Sequence, residues 1–154
     1  MLNRIRWSLA RLLPVVLFLT AWPLIARANV DQIPDELYCL ALNVYFEARS
    51  EPVEGKFAVA AVTMNRVRSP RFPSAICAVV WQRRQFSWTH DGRPDRPYEK
   101  AAWREALWVA TLTYESSYPS NVGAATYYHT AYVRPVWAKS LQKVARVGHH
   151  IFYQ

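Results

Sequence analysis

The stretch Gly55–Val67, GKFAVAAVTMNRV, would be apolar on nearly every side of a helix rather than along one stripe. A surface helix carries its apolar residues on one face, whereas apolar residues on all faces are typical of a helix that other elements surround. The small alanines allow those neighbours to approach closely. We therefore predict a buried central helix over residues 54–67, with the rest of the domain packed around it.

The helix predicted before it, residues 34–48, ends close to a charged residue in an apolar setting. Leu40, Val44 and Glu47 follow one another at i, i+4 and i+7 and therefore share one face. If that face packs inward through its aliphatic side chains, the Glu47 carboxylate points toward the core or toward a cleft lined by it. Pro52 marks the break after this helix.

Two explanations of Glu47 stay open on the residues alone. A charged side chain is almost never buried unless it is paired or used, and a salt bridge with Arg49 or another arginine would pair it. Residues two apart on a helix do not face each other, which weakens the pairing with Arg49. Alternatively, desolvation raises the pKa of a carboxyl group on an apolar face, so that it keeps a proton for a leaving group and acts as a general acid.

Two further helices are predicted in the middle of the chain. Ser74 is placed to cap a short helix through Val80, and a long amphipathic helix is predicted from about Tyr98 to Tyr114. The stretch between them, QRRQFSWTHDGRPDRP, has the glycine, proline and aspartate content of an irregular loop.

The C-terminal part of the chain changes to a strand pattern. The segments ATYYHT (125–130) and HHIFYQ (149–154) are rich in β-branched and aromatic residues and predict two strands, with a proline-led helical turn over 133–141 between them. Four helices followed by a small sheet make an α+β domain.

Residues 1–28 have the pattern of a secretory signal peptide. Basic residues lead, a mostly apolar run covers residues 12–25, and Ala26-Arg27-Ala28 offers a small-x-small cleavage site. The apolar run is short and interrupted by two prolines, which disfavours a membrane-spanning helix, although an uncleaved anchor stays open. Residues 29–154 are then one domain with one core, exported to the periplasm or cell envelope.

Charge and cysteine content fit an exported protein. The formal charge of the whole chain is +8, and removing the four arginines of residues 1–28 leaves +4. This mild charge could favour anionic partners such as cell-wall polymers, whereas the scattered basic residues and the predicted export argue against nucleic acid. In an oxidising compartment, Cys39 and Cys77 are expected to form a disulfide.

From about Cys39 to Tyr153 the chain resembles the SleB/CwlJ type of cell wall hydrolase, named for spore-cortex-lytic enzymes. The matching pieces, in family order, are NVYFEARSEP, GKFAVAAVTMNRV, FPSAICAVVWQRRQFSW, ATYYHTAYVRPVWA and VGHHIFY. The resemblance implies a lysozyme-like fold and cleavage of peptidoglycan glycan strands between muramic acid and glucosamine, with Glu47 as the catalytic acid and no cofactor. One departure is Ser50, where the family usually has glycine, and this puts the local turn geometry in question.

Glycosidases usually need a second carboxylate, and the sequence offers no convincing one. Glu51 and Glu54 look like polar helix-start residues, and solvated charge is the simplest interpretation of Asp91, Asp95 and Glu99. If the resemblance holds, a lytic transglycosylase removes the need, because the C6 hydroxyl of muramic acid attacks its own anomeric carbon. Glu47 could then act first as acid and later as base.

Two segments are candidates for contacts with sugars. Aromatic rings beside amide and hydroxyl groups suit the apolar faces and hydroxyl edges of a sugar, although buried aromatic residues also serve as core plugs. In the predicted strand, alternation places Tyr128 on the face opposite its two neighbours, and one of these faces should line the cleft. The predicted substrate-binding residues are Gln85, Phe86, Ser87, Trp88, Tyr127, Tyr128 and His129.

Two rival functions stay open. A zinc-dependent wall amidase or peptidase would use His129, His149 and His150, but adjacent strand residues point to opposite faces, which leaves too few convenient ligands. A non-catalytic wall-binding module would need the aromatic residues but not the buried acid. The expected partner is peptidoglycan, the expected state is a monomer, and contact with a membrane is expected only if the signal is retained as an anchor.

Overall fold

The computed structural model describes residues 33–118 and 120–154, so the predicted signal peptide lies outside the described residues. Within these residues the chain forms four α-helices, two short 3-10 helices and three strands. In chain order they are α1 Asp35–Ala48, α2 Val53–Arg68, α3 Ile76–Val80, the 3-10 helix Ser87–His90, α4 Lys100–Tyr114, β1 Tyr127–Thr130, the 3-10 helix Val136–Ser140, β2 Lys143–Val147 and β3 His150–Tyr153.

Helix α2 lies at the centre, as its composition predicts. Every residue from Gly55 to Thr63 is buried. Phe57 and Ala60 pack into a core shared with α1, α3 and α4, while Ala58 and Val62 pack on the opposite side against Phe152 of the sheet. The helix therefore separates two apolar clusters, which explains why it has no polar face.

Two contacts join α3 to the start of α1. The predicted disulfide between Cys39 and Cys77 is confirmed, with the two Cα atoms 5.2 Å apart. The Glu36 carboxylate of α1 accepts hydrogen bonds from the backbone N–H groups of Ile76 and Cys77. The prediction that Ser74 caps α3 is wrong, because a carboxylate from another helix already satisfies these N–H groups.

Tyr45 joins α1 to the start of α4. Its ring is fully buried, and its hydroxyl oxygen accepts hydrogen bonds from the backbone N–H groups of Tyr98 and Glu99, at 3.3 and 3.2 Å. These donors lie just before α4, where backbone N–H groups lack helical partners. The end of the long loop is therefore fixed to the same helix that carries Glu47.

The three strands form an antiparallel sheet in the order β1-β3-β2. The structure confirms the α+β class and both predicted strands, and adds β2, which the sequence analysis missed. Lys143 and Arg146 are exposed on β2, and the register shifts between Lys143 and Ala145, so this edge strand has little of the apolar alternation that marks a strand. The central strand contributes Phe152, fully buried against α2.

The turn after α1 does not depend on a glycine. Arg49 keeps the right-handed helical conformation. In the part of the chain that the structure describes, non-glycine residues with positive φ occur at Arg84 and Ser116, and Ser50 is not among them. Serine at position 50 is therefore compatible with the turn. No helix in residues 33–118 or 120–154 is long and apolar enough to cross a membrane.

Replacing Cys39 and Cys77 together by alanine is expected to lower the free energy of unfolding by about 3 kcal/mol, because the unfolded chain regains the freedom that the crosslink removes. The loop between them spans 38 residues. Urea unfolding of the oxidised protein and of the double variant measures the difference. Equal midpoints for the two proteins would contradict the prediction.

Candidate active site

Glu47 lies in the last turn of α1, where the helix layer meets the sheet. Its side chain is only partly buried, and the hydroxyl of Tyr128 on β1 donates a hydrogen bond to its Oε2 at 3.0 Å. The face of β1 that carries Tyr128 is thus the one directed at α1. Tyr127, on the other face, packs against Phe72 and Trp137.

Burial raises the pKa of Glu47 above its ordinary value, and two neighbours counteract part of this rise. The Tyr128 hydroxyl and the positive charge of Arg66 both favour the ionised form. The proposed salt bridge with Arg49 is wrong, because the Arg49 guanidinium instead lies 3.3 Å from a carboxylate oxygen of Glu99. Glu47 is therefore a carboxyl group whose proton is favoured by desolvation.

Arg66 is held in place by the entry to β1. This arginine is buried, and its Nε donates to the backbone carbonyl of Thr126 at 2.7 Å. The neighbouring Asn65 donates to the carbonyls of Gly123 and Ala125 at 2.8 and 2.9 Å. Together, the side chains of Asn65 and Arg66 fix the strand that carries Tyr128.

The guanidinium of Arg66 is surrounded by aromatic rings and retains an unused donor. It lies within 6.0 Å of the ring centres of Phe72, Phe86 and Tyr127. Its buried NH1 has no hydrogen-bond acceptor among the described residues. Because buried donors are nearly always paired, this group is a candidate to bind a substrate oxygen.

Glu47 opens into a cavity of about 220 Å³, which we call the central cavity. Glu47 is the one acidic residue in its lining, and Arg66 is the one arginine. The residues that line it are Glu47, Arg66, Gln85, Phe86, Tyr128, His129, Thr130, Val133 and His150.

A larger groove, of about 850 Å³, lies beside the central cavity and does not include Glu47. Its lining contains Phe46 and Trp88, whose rings stack 4.6 Å apart. The rest of the lining comes mainly from the loop before α4. This loop supplies Pro94, Pro97 and Tyr98, together with acidic and basic side chains. Phe46 directly precedes Glu47 in the chain, although the groove and the central cavity share no lining residue.

The structure brings most, but not all, of the predicted substrate-binding residues to these two cavities. Gln85, Phe86, Tyr128 and His129 line the central cavity, and Trp88 lines the groove. The side chain of Ser87 is exposed. Ser87 and Tyr127 line neither.

Glu51 is the residue that sequence reasoning most clearly missed. The expectation of a polar helix-start residue is wrong, because its side chain is 6% exposed. Its carboxylate accepts hydrogen bonds from the backbone N–H and the Nδ1 of His149, at 2.9 and 3.0 Å. The adjoining Gly148 has φ +55°, and a Cβ there would overlap Glu51 Oε2. The glycine directly before the two histidines was therefore the sequence signal for this close contact.

The two histidines that were expected to diverge instead approach the same carboxylate. His149 belongs to the turn before β3, not to the strand, and the Nδ1 of buried His150 lies 3.8 Å from Glu51 Oε1. Glu51 is absent from the lining of the central cavity. Across residues 33–118 and 120–154, no group of three or more His, Cys, Asp or Glu side chains could hold a metal ion.

The other acids considered as partners of Glu47 lie elsewhere. Glu54 is exposed on α2, and Glu99 pairs with Arg49. Asp91 and Asp95 line the larger groove rather than the central cavity. The arrangement therefore offers one carboxyl group, one hydrogen-bonded phenol and one guanidinium, which is enough for proton transfer by a single acid.

The chain is similar to proteins that act on cell walls. The family model described as Cell Wall Hydrolase matches residues 50–153, beginning three residues after Glu47. The spore cortex-lytic enzyme of Bacillus subtilis (strain 168) is 35% identical over 119 residues, which cover 77% of this chain and 37% of that protein. The spore cortex-lytic enzyme of Oceanobacillus iheyensis is 36% identical over 122 residues, or 77% and 41% of the two chains.

Two solved structures share the fold. The catalytic domain of the germination-specific lytic transglycosylase SleB from Bacillus anthracis superposes with a TM-score of 0.65 at 28% identity, covering 81% of this chain and 98% of that one. The catalytic domain of the Bacillus cereus SleB protein gives a TM-score of 0.62 at 27% identity, with 80% and 94% covered. The chain thus spans less than half of the curated relatives above but nearly all of these two domains.

Glu47→Gln is expected to increase the free energy of unfolding at neutral pH. Because burial raises the pKa of Glu47, the folded state binds the proton more tightly than the unfolded state does. The stability of the unmodified protein therefore falls as pH rises from 4.5, the ordinary pKa, through the raised value. Glutamine never ionises, so the advantage of the variant should grow over this window and then level off, as urea unfolding at a series of pH values would measure.

Glu54→Gln is the matched control, because Glu54 is exposed on the surface of α2. This variant should stay within about 0.5 kcal/mol of the unmodified protein at every pH. A stability difference for Glu47→Gln that does not change with pH would show that the carboxyl group is not destabilised by burial.

Proposed function

The chain belongs to the cell wall hydrolase family, and on this basis we propose that it cleaves peptidoglycan glycan strands between muramic acid and glucosamine, as a lytic transglycosylase with Glu47 as its catalytic acid. The observation that carries the proposal is the single carboxyl group of the central cavity, with its raised pKa. The names of the relatives support it, since they are described as spore cortex-lytic enzymes and as a lytic transglycosylase.

In the first step Glu47 donates its proton to the glycosidic oxygen. The hydrogen bond from Tyr128 occupies Oε2 and fixes the carboxyl group, which leaves Oε1 to carry the proton. As the bond between the anomeric carbon and this oxygen breaks, the glucosamine leaves with the proton. Positive charge develops on the muramic acid ring while Glu47 becomes a carboxylate, which Tyr128 and Arg66 stabilise.

In the second step the same carboxylate acts as a base. It takes the proton of the C6 hydroxyl, whose oxygen bonds to the anomeric carbon of the same sugar and closes a 1,6-anhydro ring. The attack is intramolecular, so the hydroxyl competes well with water. Glu47 regains its proton, and no second carboxylate and no cofactor are required.

The remaining side chains of the two cavities bind and orient the glycan. We propose that the amide of Gln85 contacts sugar hydroxyl or acetamido groups, and that Phe86 and Trp88 present apolar surface to the sugar rings. His129 would contact the glycan strand at the far edge of the central cavity. Ser87 and Tyr127 line neither cavity. Because the Tyr127 ring lies against the Arg66 guanidinium, we propose that Tyr127 supports Arg66.

We infer that the domain works outside the cytoplasm, where peptidoglycan lies. The signal-peptide pattern of residues 1–28 and the Cys39–Cys77 disulfide both support export. The periplasm or cell envelope is the proposed location.

Glu47→Gln is expected to reduce cleavage of purified peptidoglycan by at least about 10³-fold, because the amide is nearly isosteric but cannot deliver a proton. Release of soluble fragments from sacculi measures the rate, and circular dichroism verifies that the variant is folded. Glu54→Gln should digest at the unmodified rate. Digestion by folded Glu47→Gln at that rate would make Glu47 a structural residue.

The fragments are expected to end in 1,6-anhydromuramic acid. Intramolecular attack loses no atoms to solvent and gains none, so each product is lighter than the corresponding hydrolytic product by one water. Mass spectrometry of a digest distinguishes the two. Mainly hydrated reducing ends would instead indicate a hydrolase, and a second carboxylate brought in on substrate binding.

A further inference from the structure

The positive charge of the domain is concentrated in its C-terminal part. Residues 29–115 contain eleven acidic and eleven basic residues, whereas residues 116–154 contain four basic residues and no acidic one. The four are Arg134, Lys139, Lys143 and Arg146. The net charge that remains after residues 1–28 are removed therefore belongs entirely to the sheet and its connections.

Three of these four residues line one cavity of about 410 Å³, which we call the cationic cavity. Arg134 and Lys139 come from the connection between β1 and β2, Arg146 comes from β2, and the lining contains no acidic residue. Among the described residues, none of the three forms an ion pair. Their charges therefore add without compensation, and the cavity attracts an anionic group.

The cationic cavity adjoins the central cavity, since His129 and Val133 line both. The His129 Nε2 is hydrogen-bonded to the hydroxyl of Tyr153 at 2.9 Å, and Tyr153 also lines the cationic cavity. The two cavities therefore meet near the end of β1, which brings the cationic cavity next to any sugar that occupies the central cavity.

The larger groove on the other side has a different character. Of its three arginines, Arg49 pairs with Glu99, and Asp91 and Asp95 offset the charge of the other two, beside several aromatic rings. Mixed charge with aromatic surface suits the neutral hydroxyl groups and apolar faces of a sugar chain. The anion-binding capacity is thus separated from the part that suits the glycan itself.

We propose that the cationic cavity binds the carboxylates of the peptide that peptidoglycan carries on its muramic acid, and that Arg134, Lys139 and Arg146 select peptide-bearing strands over bare ones. The inference rests on the proposed function. Muramic acid is the sugar that reacts at Glu47, so its peptide branches beside the scissile bond. Because the three cations are exposed, their attraction falls as salt rises.

The test compares two substrates: peptide-bearing glycan strands and the same strands stripped of peptide by an amidase. The unmodified protein should cleave the peptide-bearing strands about tenfold more efficiently in kcat/KM, with the ratio shrinking at high salt. Arg134→Gln/Lys139→Gln/Arg146→Gln should lose this preference and keep the unmodified rate on stripped strands. Lys143→Gln/Arg83→Gln/Arg104→Gln removes the same charge from exposed residues outside all three cavities and should keep the preference.

Each outcome decides between specific alternatives. Cleavage of neither substrate by the unmodified protein would overturn the proposed function itself. Equal cleavage of both substrates would overturn the selection of peptide alone. If the cavity variant lost activity equally on both substrates, its cations would act on the glycan strand and not on the peptide.

A binding measurement gives a readout that does not need turnover. Soluble N-acetylmuramoyl tripeptide is titrated into folded Glu47→Gln, and the same compound with its carboxylates amidated serves as the comparison. We expect binding of the free acid to be about tenfold tighter, and this difference to vanish when the three cavity substitutions are added. Equal affinity for the two compounds would overturn the proposal.

Discussion

The burial of α2 on all sides is the constraint on which the rest of the structure depends. A helix without a polar face must be covered on both sides, and here α1 and α4 cover one side while the sheet covers the other. Where the helix layer and the sheet meet around α2, they leave a gap in which they do not pack against each other, and we call this gap the seam. Glu47, at the end of α1, and Tyr128, on the sheet, meet across that seam at 3.0 Å.

The same helix also aligns the two sides of the seam. In its last turns, Asn65 and Arg66 bond to backbone carbonyls that precede β1. The strand is thus tied to the helix beside the position where Tyr128 must reach Glu47. An apolar centre and a polar end of one helix account for both the core and the geometry of the proposed acid.

The features that could be predicted from the sequence were those that depend on the residues of a single segment. The apolar circumference of α2 predicted its burial, and the spacing of Leu40, Val44 and Glu47 predicted that a carboxylate would point toward the core or toward a cleft lined by it. The features that could not be predicted depend on partners distant in the chain. Glu36 replaces Ser74 at the start of α3, and Glu51 is buried by a turn 98 residues away. The residues adjacent to Glu36 and Glu51 in the sequence do not reveal these distant contacts. The strand β2 was missed for another reason, because this exposed edge strand lacks the apolar pattern that identifies a strand.

The contact between Glu51 and Gly148 bears on how this sequence can diverge. A side chain at position 148 would meet both an unfavourable left-handed backbone and the carboxylate, while shortening or removing Glu51 would leave the N–H of His149 without its acceptor. Neither position can change alone without loss. The two residues, one before α2 and one before β3, are therefore expected to vary together or not at all, and to constrain insertions in the turn between β2 and β3 more strongly than the exposure of that turn would suggest.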